Sequence, residues 1–143
     1  AKAKDYYEKA LKLSIELLDR AFQANIYHNL GRVAEGQEQW DQAKAYYIKS
    51  LQIKIELGNR YSQAGTYNNL GVVSQIQGLW TQANDYYMKS LDIFVEFGDD
   101  YNIKRTLTNI AKLLSTTHDS EIPAAVASII GITREDAEEL LRE

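Results

Sequence analysis

One residue type, cysteine, is absent from this 143-residue chain, and long apolar runs are absent as well. It contains no cysteine, which excludes a disulfide framework and thiolate metal sites. It also contains no apolar run near eighteen residues and no basic stretch followed by an apolar leader. Neither membrane insertion nor secretion is therefore predicted, and we expect a soluble protein in the cytoplasm.

Residues that could perform catalysis are equally scarce. The only histidines, His28 and His118, lie far apart in the sequence, and there is no glycine-rich phosphate loop or Gly-x-Ser-x-Gly elbow. A zinc site or a histidine-based catalytic pair is disfavoured by that separation. The sequence thus predicts no enzyme, no catalytic residue, no metal site and no cofactor.

The charge balance bears on nucleic acid as a partner. The formal net charge of -4 argues against a duplex-binding surface, because such affinity comes mainly from Lys and Arg that neutralise phosphates. Ten tyrosines could in principle stack on single-stranded bases. All of them recur at matching positions, however, so we interpret them, like the two tryptophans, as packing residues and predict no nucleic-acid partner.

The chain repeats itself every forty residues. Residues 24–63 laid over residues 64–103 without gaps match at 19 of 40 positions. The same frame extends in both directions. It predicts an array over residues 1–116, built from a half repeat 1–23, full repeats 24–63 and 64–103, and a half repeat 104–116.

Each repeat shows helical periodicity. Apolar and small residues recur every three or four positions, and Gly58 and Gly98 end one such run before Asn59 and Asp99 can cap the next. We therefore predict an all-α protein with two helices of roughly sixteen to eighteen residues in each full repeat. Glu16, Glu56 and Glu96 recur near a helix end and are interpreted as a solvated face or a loop contact.

Two glycines lie inside the first helix of their repeats. Gly31 and Gly71 follow Leu30 and Leu70, and a glycine in a helix interior costs about 1 kcal/mol relative to alanine. Such a glycine is favoured only where the missing side chain allows a closer contact. We therefore predict that Gly31 and Gly71 let the paired helices approach each other.

The repeat resembles a known family, the tetratricopeptide repeats. The resemblance rests on Tyr67, Leu70, Gly71, Ser74, Gly78, Ala83, Tyr87 and Ser90. The period of forty exceeds the usual thirty-four, and the usual proline after the second helix is absent. In this the chain is similar to the long-helix arrays of kinesin light chains, spindle-orientation scaffolds and prokaryotic signalling proteins. The resemblance implies a right-handed α-solenoid of antiparallel helix pairs that binds proteins.

The resemblance also points to a column of asparagines. Asn29, Asn69 and Asn109 occupy the position just before the repeat leucine or its equivalent, which in this family faces a concave groove. The family implies that asparagines there hydrogen-bond the backbone of an extended peptide. The neighbouring positions add further predicted groove residues, namely His28, Asn68, Arg32, Arg105 and Lys112. The alternative is that the asparagines bond to neighbouring helices or face water.

The repeat frame is lost after residue 116. Residues 117–143 are predicted to form short capping helices, the first opened by Pro123 and ended by Gly131, the second capped by Thr133 with Asp136. A DNA-binding helix-turn-helix is disfavoured because the last helix carries two arginines against five acidic residues. An end cap for the solenoid is the better interpretation.

These patterns predict a protein-binding scaffold whose protein or peptide partner is not identified by the sequence. Two alternatives remain open: a sensor or regulatory array of a larger signalling ATPase or transcription regulator, and a purely structural or oligomerising repeat. The first predicted helix belongs to the second half of a repeat and has no first helix of that repeat to pack against. We therefore expect an exposed apolar face made by Tyr6, Tyr7, Ala10, Leu11 and Ser14, and self-association through residues 1–18.

Overall fold

The structure, a computed structural model, describes residues 1–16 and 19–142. All the regular structure in these residues is helical. The eight helices are α1 Lys2–Glu16, α2 Arg20–Gly36, α3 Trp40–Glu56, α4 Arg60–Ile76, α5 Trp80–Glu96, α6 Asp100–Thr117, α7 Glu121–Ile130 and α8 Arg134–Arg142. Leu17 and Leu18, which belong to the predicted half repeat 1–23 and self-association segment 1–18, lie outside the described residues, as does Glu143.

The helices pack in sequence order, as in a solenoid. We call α2, α4 and α6 the A helices and α1, α3 and α5 the B helices. Each full repeat pairs an A helix with the B helix that follows, α2 with α3 and α4 with α5, and α3 and α5 also pack on the next A helix. The predicted all-α solenoid of helix pairs with a short helical cap is confirmed.

The glycines and caps between repeats behave as the sequence predicts. Gly58 and Gly98 have φ of 66° and 64°, in the left-handed region that favours glycine at a helix end. The side chains of Asn59 and Asp99 then accept hydrogen bonds from backbone N–H groups in the first turns of α4 and α6. Helix boundaries are therefore set locally, by residues that recur every forty positions.

The interior glycines are placed where a tyrosine ring meets the A-helix backbone. A Cβ atom added at Gly71 would lie 2.5 Å from Cδ1 of Tyr87, and one at Gly31 would lie 2.6 Å from Cδ1 of Tyr47. Both tyrosine side chains are fully buried. The prediction that these glycines permit close approach of the paired helices is confirmed.

Packing does not account for every aromatic residue. Tyr101 is 76% exposed, so interpreting it as a packing residue was wrong. Its counterpart Tyr61 contacts Phe94 and Phe97 edge-on, whereas the cap that follows α6 offers no matching aromatic residues. Trp80 is also 42% exposed, so packing explains it only in part.

Two of the recurring glutamates, at the ends of α3 and α5, pair with the first residue of the A helix that precedes them. Glu56 accepts a hydrogen bond of 2.7 Å from Arg20, and Glu96 accepts one of 2.7 Å from Arg60. These are exposed ion pairs, and such pairs contribute little to stability. Their recurrence supports the interpretation of these glutamates as a loop contact rather than an acid–base pair.

The C-terminal helices pack back on the last two full-length helices. Helix α7 lies against α5, and α8 lies against α6. Helix α7 begins at Glu121, so Pro123 stands in its first turn rather than opening it. Gly131 ends α7 at a φ of 84°, and the backbone N–H of Asp136 donates to Thr133 Oγ1 at 3.1 Å.

The glycine contact predicts opposite effects of two alanine substitutions in α4. Gly71→Ala should destabilise the fold by about 1–3 kcal/mol, because the new methyl group would overlap the buried ring of Tyr87. Gly65→Ala should stabilise it by about 0.5–1 kcal/mol, because no atom lies within 4 Å of its added Cβ. Chemical denaturation of the two variants checks this. Stabilisation of similar size by both would show that the Tyr87 ring gives way freely.

Candidate functional site

The predicted asparagine column lies along the A helices. Asn29, Asn69 and Asn109 stand at the same repeat position on α2, α4 and α6, and all three are half-buried. Asn69 Nδ2 lies 3.3 Å from His28 Nε2, and Asn109 Nδ2 donates to Asn68 Oδ1 at 3.1 Å. Two of the three amides are thus hydrogen-bonded to the preceding A helix. We call the surface that carries the column the A-helix face.

A chain of polar side chains extends inward from Asn69. His28 Nδ1 lies 3.1 Å from Thr66 Oγ1, which also accepts a hydrogen bond of 2.8 Å from Lys54 Nζ. Lys54 is only 6% exposed and Thr66 is fully buried. We call Lys54, Thr66, His28 and Asn69 the polar relay. It joins helices α2, α3 and α4 below the A-helix face.

Burial controls the protonation of the relay. Desolvation, aided by the charges of Lys54 and Arg32, lowers the pKa of His28 from 6.5 to about 4. Desolvation likewise lowers the pKa of Lys54 to about 8. At neutral pH His28 is therefore uncharged and able to accept a hydrogen bond at one ring nitrogen. The positive charge of the relay then resides on Lys54.

Lys54 and Thr66 were not among the sequence-predicted site residues. Lys54 occupies the position at which the next repeat has Phe94, which is 2% exposed. A lysine on a B-helix face that is otherwise apolar was the signal available in the sequence. The hydrogen bond from Lys54 to Thr66 could not be predicted, because only the packed structure shows which side chain on the next helix the lysine reaches.

The remaining predicted peptide-binding residues differ in how far they are buried. Asn68 is 3% exposed and lies beneath Asn109, so it is part of the interior. Arg32, Arg105 and Lys112 are exposed. The structure therefore brings His28 to Asn69 and Asn68 to Asn109, while the three cations stay at the surface.

The two predicted cations of α6 do not share one pocket. Lys112 lines a groove between α6 and α8 together with Lys104 and Arg142, which the sequence analysis did not select. Arg105 is not part of that lining. Arg105 lies instead in the first turns of α6, near the capping residue Asp99. Hydrogen bonds from Tyr61 and Asn102 lower the pKa of Asp99, and the positive charge of Arg105 lowers it further to a lesser extent.

Residues 1–16 and 19–142 contain neither a membrane-spanning helix nor a cluster of metal-binding side chains. No helix in these ranges is long and apolar enough to cross a membrane. No group of three or more His, Cys, Asp or Glu side chains within the same ranges is arranged to hold a metal ion.

Comparisons with known proteins agree with this architecture. The family model for the tetratricopeptide repeat matches residues 1–56 and 62–122. Among solved structures, the crystal structure of BtubC (BKLC) from P. vanneervenii is similar at a TM-score of 0.79 and 21% sequence identity. That match covers 97% of this chain and 61% of the BtubC chain, and at this identity it shows the fold. No curated protein sequence matches the chain.

The buried histidine predicts a specific dependence of stability on pH. Its pKa is lower in the folded state than the ordinary 6.5, so the unfolded chain binds more protons between pH 6.5 and about 4. The contribution of His28 to the free energy of unfolding is therefore present above pH 6.5 and is lost as the pH falls toward 4.

His28→Asn tests this, because asparagine occupies the same position in the next repeat as Asn68. Denaturation of both proteins from pH 8 to pH 4 isolates the histidine, since the carboxyl groups common to both titrate alike. We expect the stability of the native chain relative to the variant to fall below pH 6.5. Parallel curves across the range would contradict a buried, neutral His28.

Proposed function

This chain belongs to the tetratricopeptide repeat family, and we propose that it binds an extended peptide segment of a partner protein along the A-helix face. Repeats of this family generally mediate protein–protein interactions. The observation that carries the proposal is the column of three half-buried asparagines at one repeat position of three successive A helices.

The chemistry of the column suits a peptide backbone. A side-chain amide offers both a donor and an acceptor, so it can satisfy a peptide unit regardless of that residue's side chain. Each such bond contributes only about 0.5–1.5 kcal/mol net. Binding therefore needs several asparagines in a row, and the spacing of the A helices supplies that row.

The hydrogen bonds beneath the column favour binding by holding the amides in place. His28 orients Asn69, and the buried Asn68 orients Asn109. An amide already held in one conformation loses less freedom when a ligand arrives. Under this proposal His28 and Asn68 act as positioning residues.

The exposed cations bias the choice of peptide. Arg32, Arg105 and Lys112 stand on the A helices with their charges in solvent. Exposed charges act mainly on association rate and on partner selection. Acidic or carboxylate-ended peptides are therefore favoured over basic ones.

The test is peptide binding by the chain and by an Asn29→Ala, Asn69→Ala, Asn109→Ala variant. Peptides selected from a random linear library against the native chain are titrated against both proteins by fluorescence anisotropy. We expect the variant to bind at least about tenfold more weakly, because about three backbone hydrogen bonds are lost.

Gln52→Ala, an exposed change on a B helix, is the control and should bind as the native chain does. Circular dichroism establishes that the triple variant keeps its helices. Equal affinity of the native chain and a folded triple variant would refute the A-helix face as the peptide site.

We also propose that the first helix mediates self-association. On α1, Tyr6 is 67%, Leu13 52% and Ile15 49% exposed. Helix α1 packs on α2. Ser14 is fully buried and Tyr7, Ala10 and Leu11 are half-buried, so the expectation that these four are exposed was wrong. Tyr6 and Leu13 are seven residues apart and therefore lie on the same side of the helix, and exposed apolar side chains on one side favour association with a second surface.

Light scattering across a range of protein concentrations tests the proposed self-association. The mass of the native chain should rise with concentration, and Tyr6→Glu with Leu13→Glu should abolish that rise. Tyr101→Ser removes an even more exposed aromatic side chain elsewhere and should leave the rise unchanged. A native chain that stays monomeric at the highest concentration would rule out self-association through α1.

A further inference from the structure

The groove between α6 and α8 has an apolar floor. It has a volume of about 410 Å³, and its floor is formed by side chains from both helices, namely Leu107, Ala111, Leu140 and Leu141. Leu107 and Ala111 come from the last A helix, and the two leucines come from the last helix of the cap. The cap therefore does more than end the array, since it supplies one wall of a surface groove.

One apolar residue of the groove stands at a repeat position that faces a tyrosine elsewhere in the array. Gly31 and Gly71 face the rings of Tyr47 and Tyr87, and Ala111 occupies the same repeat position on α6. Helices α7 and α8 contain no aromatic residue. Ala111 and Leu107 instead pack against the aliphatic core that α6 shares with the cap, and both also line the groove.

The rim of the groove is positively charged. Lys104 and Lys112 stand on α6 and Arg142 stands on α8, and none of the described residues that line the groove is acidic. Glu138 of α8 forms an exposed ion pair with Arg134. In a chain with a formal charge of -4, this groove has a local charge of opposite sign.

From these three features we infer that the α6–α8 groove binds an acidic peptide segment, with an aliphatic side chain inserted against the leucine floor. The flanking carboxylates of the peptide pair with Lys104, Lys112 and Arg142. This inference rests on the proposed protein-binding function and extends it, because it assigns the cap a binding surface and gives one part of the partner a defined chemistry.

Two-dimensional ¹⁵N NMR of the full chain tests the inference. The probe is a tetrapeptide, capped at both ends, with two central leucines flanked by glutamates. Its control carries glutamines in place of the glutamates. We expect the acidic peptide to shift backbone amide signals in residues 107–112 and 140–142, and the neutral peptide to bind roughly tenfold more weakly.

Variants of the protein separate charge from packing. Lys104→Glu should weaken binding of the acidic peptide by about fivefold, and Lys104→Glu with Lys112→Glu should weaken it at least about tenfold. The single variant carries the test of the groove, because Lys112 is also one of the cations assigned to the A-helix face. Lys49→Glu with Lys89→Glu, a matched reversal of two exposed lysines on the B helices, should leave it unchanged. Ala111→Leu should weaken both peptides by filling the floor.

The outcomes are distinguishable. Equal shifts by the two peptides, or no shifts in these residues, would overturn the inference. So would a rise in molecular mass with concentration that the Lys104→Glu, Lys112→Glu variant abolishes, because the groove would then hold a second copy of the chain. The triple asparagine variant leaves every groove residue intact. Loss of library peptides alone therefore concerns the A-helix face, and loss of the acidic tetrapeptide alone concerns the groove.

Discussion

The contact between a buried tyrosine ring and a glycine on the facing helix determines how closely each helix pair packs, and the array depends on it. Tyr47 and Tyr87 are fully buried, and their hydroxyl groups donate to Glu35 and Gln75 on the paired A helix. The ring is thus anchored at its polar end while its faces fill the space that glycine leaves. Because the pair is tight, successive pairs can stack with the same geometry, and the A helices form a continuous face. At the third A helix Ala111 replaces the glycine, packs against the aliphatic core of the cap and lines the α6–α8 groove.

The A-helix face combines half-buried amides with a polar interior whose burial costs free energy. Lys54, Thr66 and Asn68 are all buried, and each takes part in a hydrogen bond with a neighbouring helix. A buried lysine without a carboxylate partner is less favourable than an apolar side chain of similar size, and the next repeat uses Phe94 at that position. A departure from the best local packing is expected where residues serve binding. The polar relay is consistent with that pattern, because it ends at an asparagine on the proposed binding surface.

The fold was predictable to a large extent because its determinants are local and repeated. Gly58 and Gly98 end helices through their own backbone freedom, and Asn59 and Asp99 cap the following helices within one turn.

The site was predictable only in part. The repeat position of Asn29, Asn69 and Asn109 could be recognised in the sequence, but the hydrogen bonds of Asn69 and Asn109 join residues 41 positions apart. Periodicity cannot show which of two neighbouring side chains reaches across to the next repeat. For the same reason Tyr101 was misjudged, since its exposure depends on what packs beyond the last repeat.

The sequence by itself determined the helical class, the forty-residue unit, the helix ends and the need for glycine at positions 31 and 71, because each follows from backbone preferences or from a pattern that recurs in the chain. Only the tertiary structure decided that Asn68 is buried beneath Asn109, that Lys54 reaches Thr66, and that Lys104 rather than Arg105 lines a groove with Lys112 and Arg142. Those facts depend on the rotation of each helix against its neighbours. That rotation is set by the packing of whole helices, to which residues distant in the sequence contribute together.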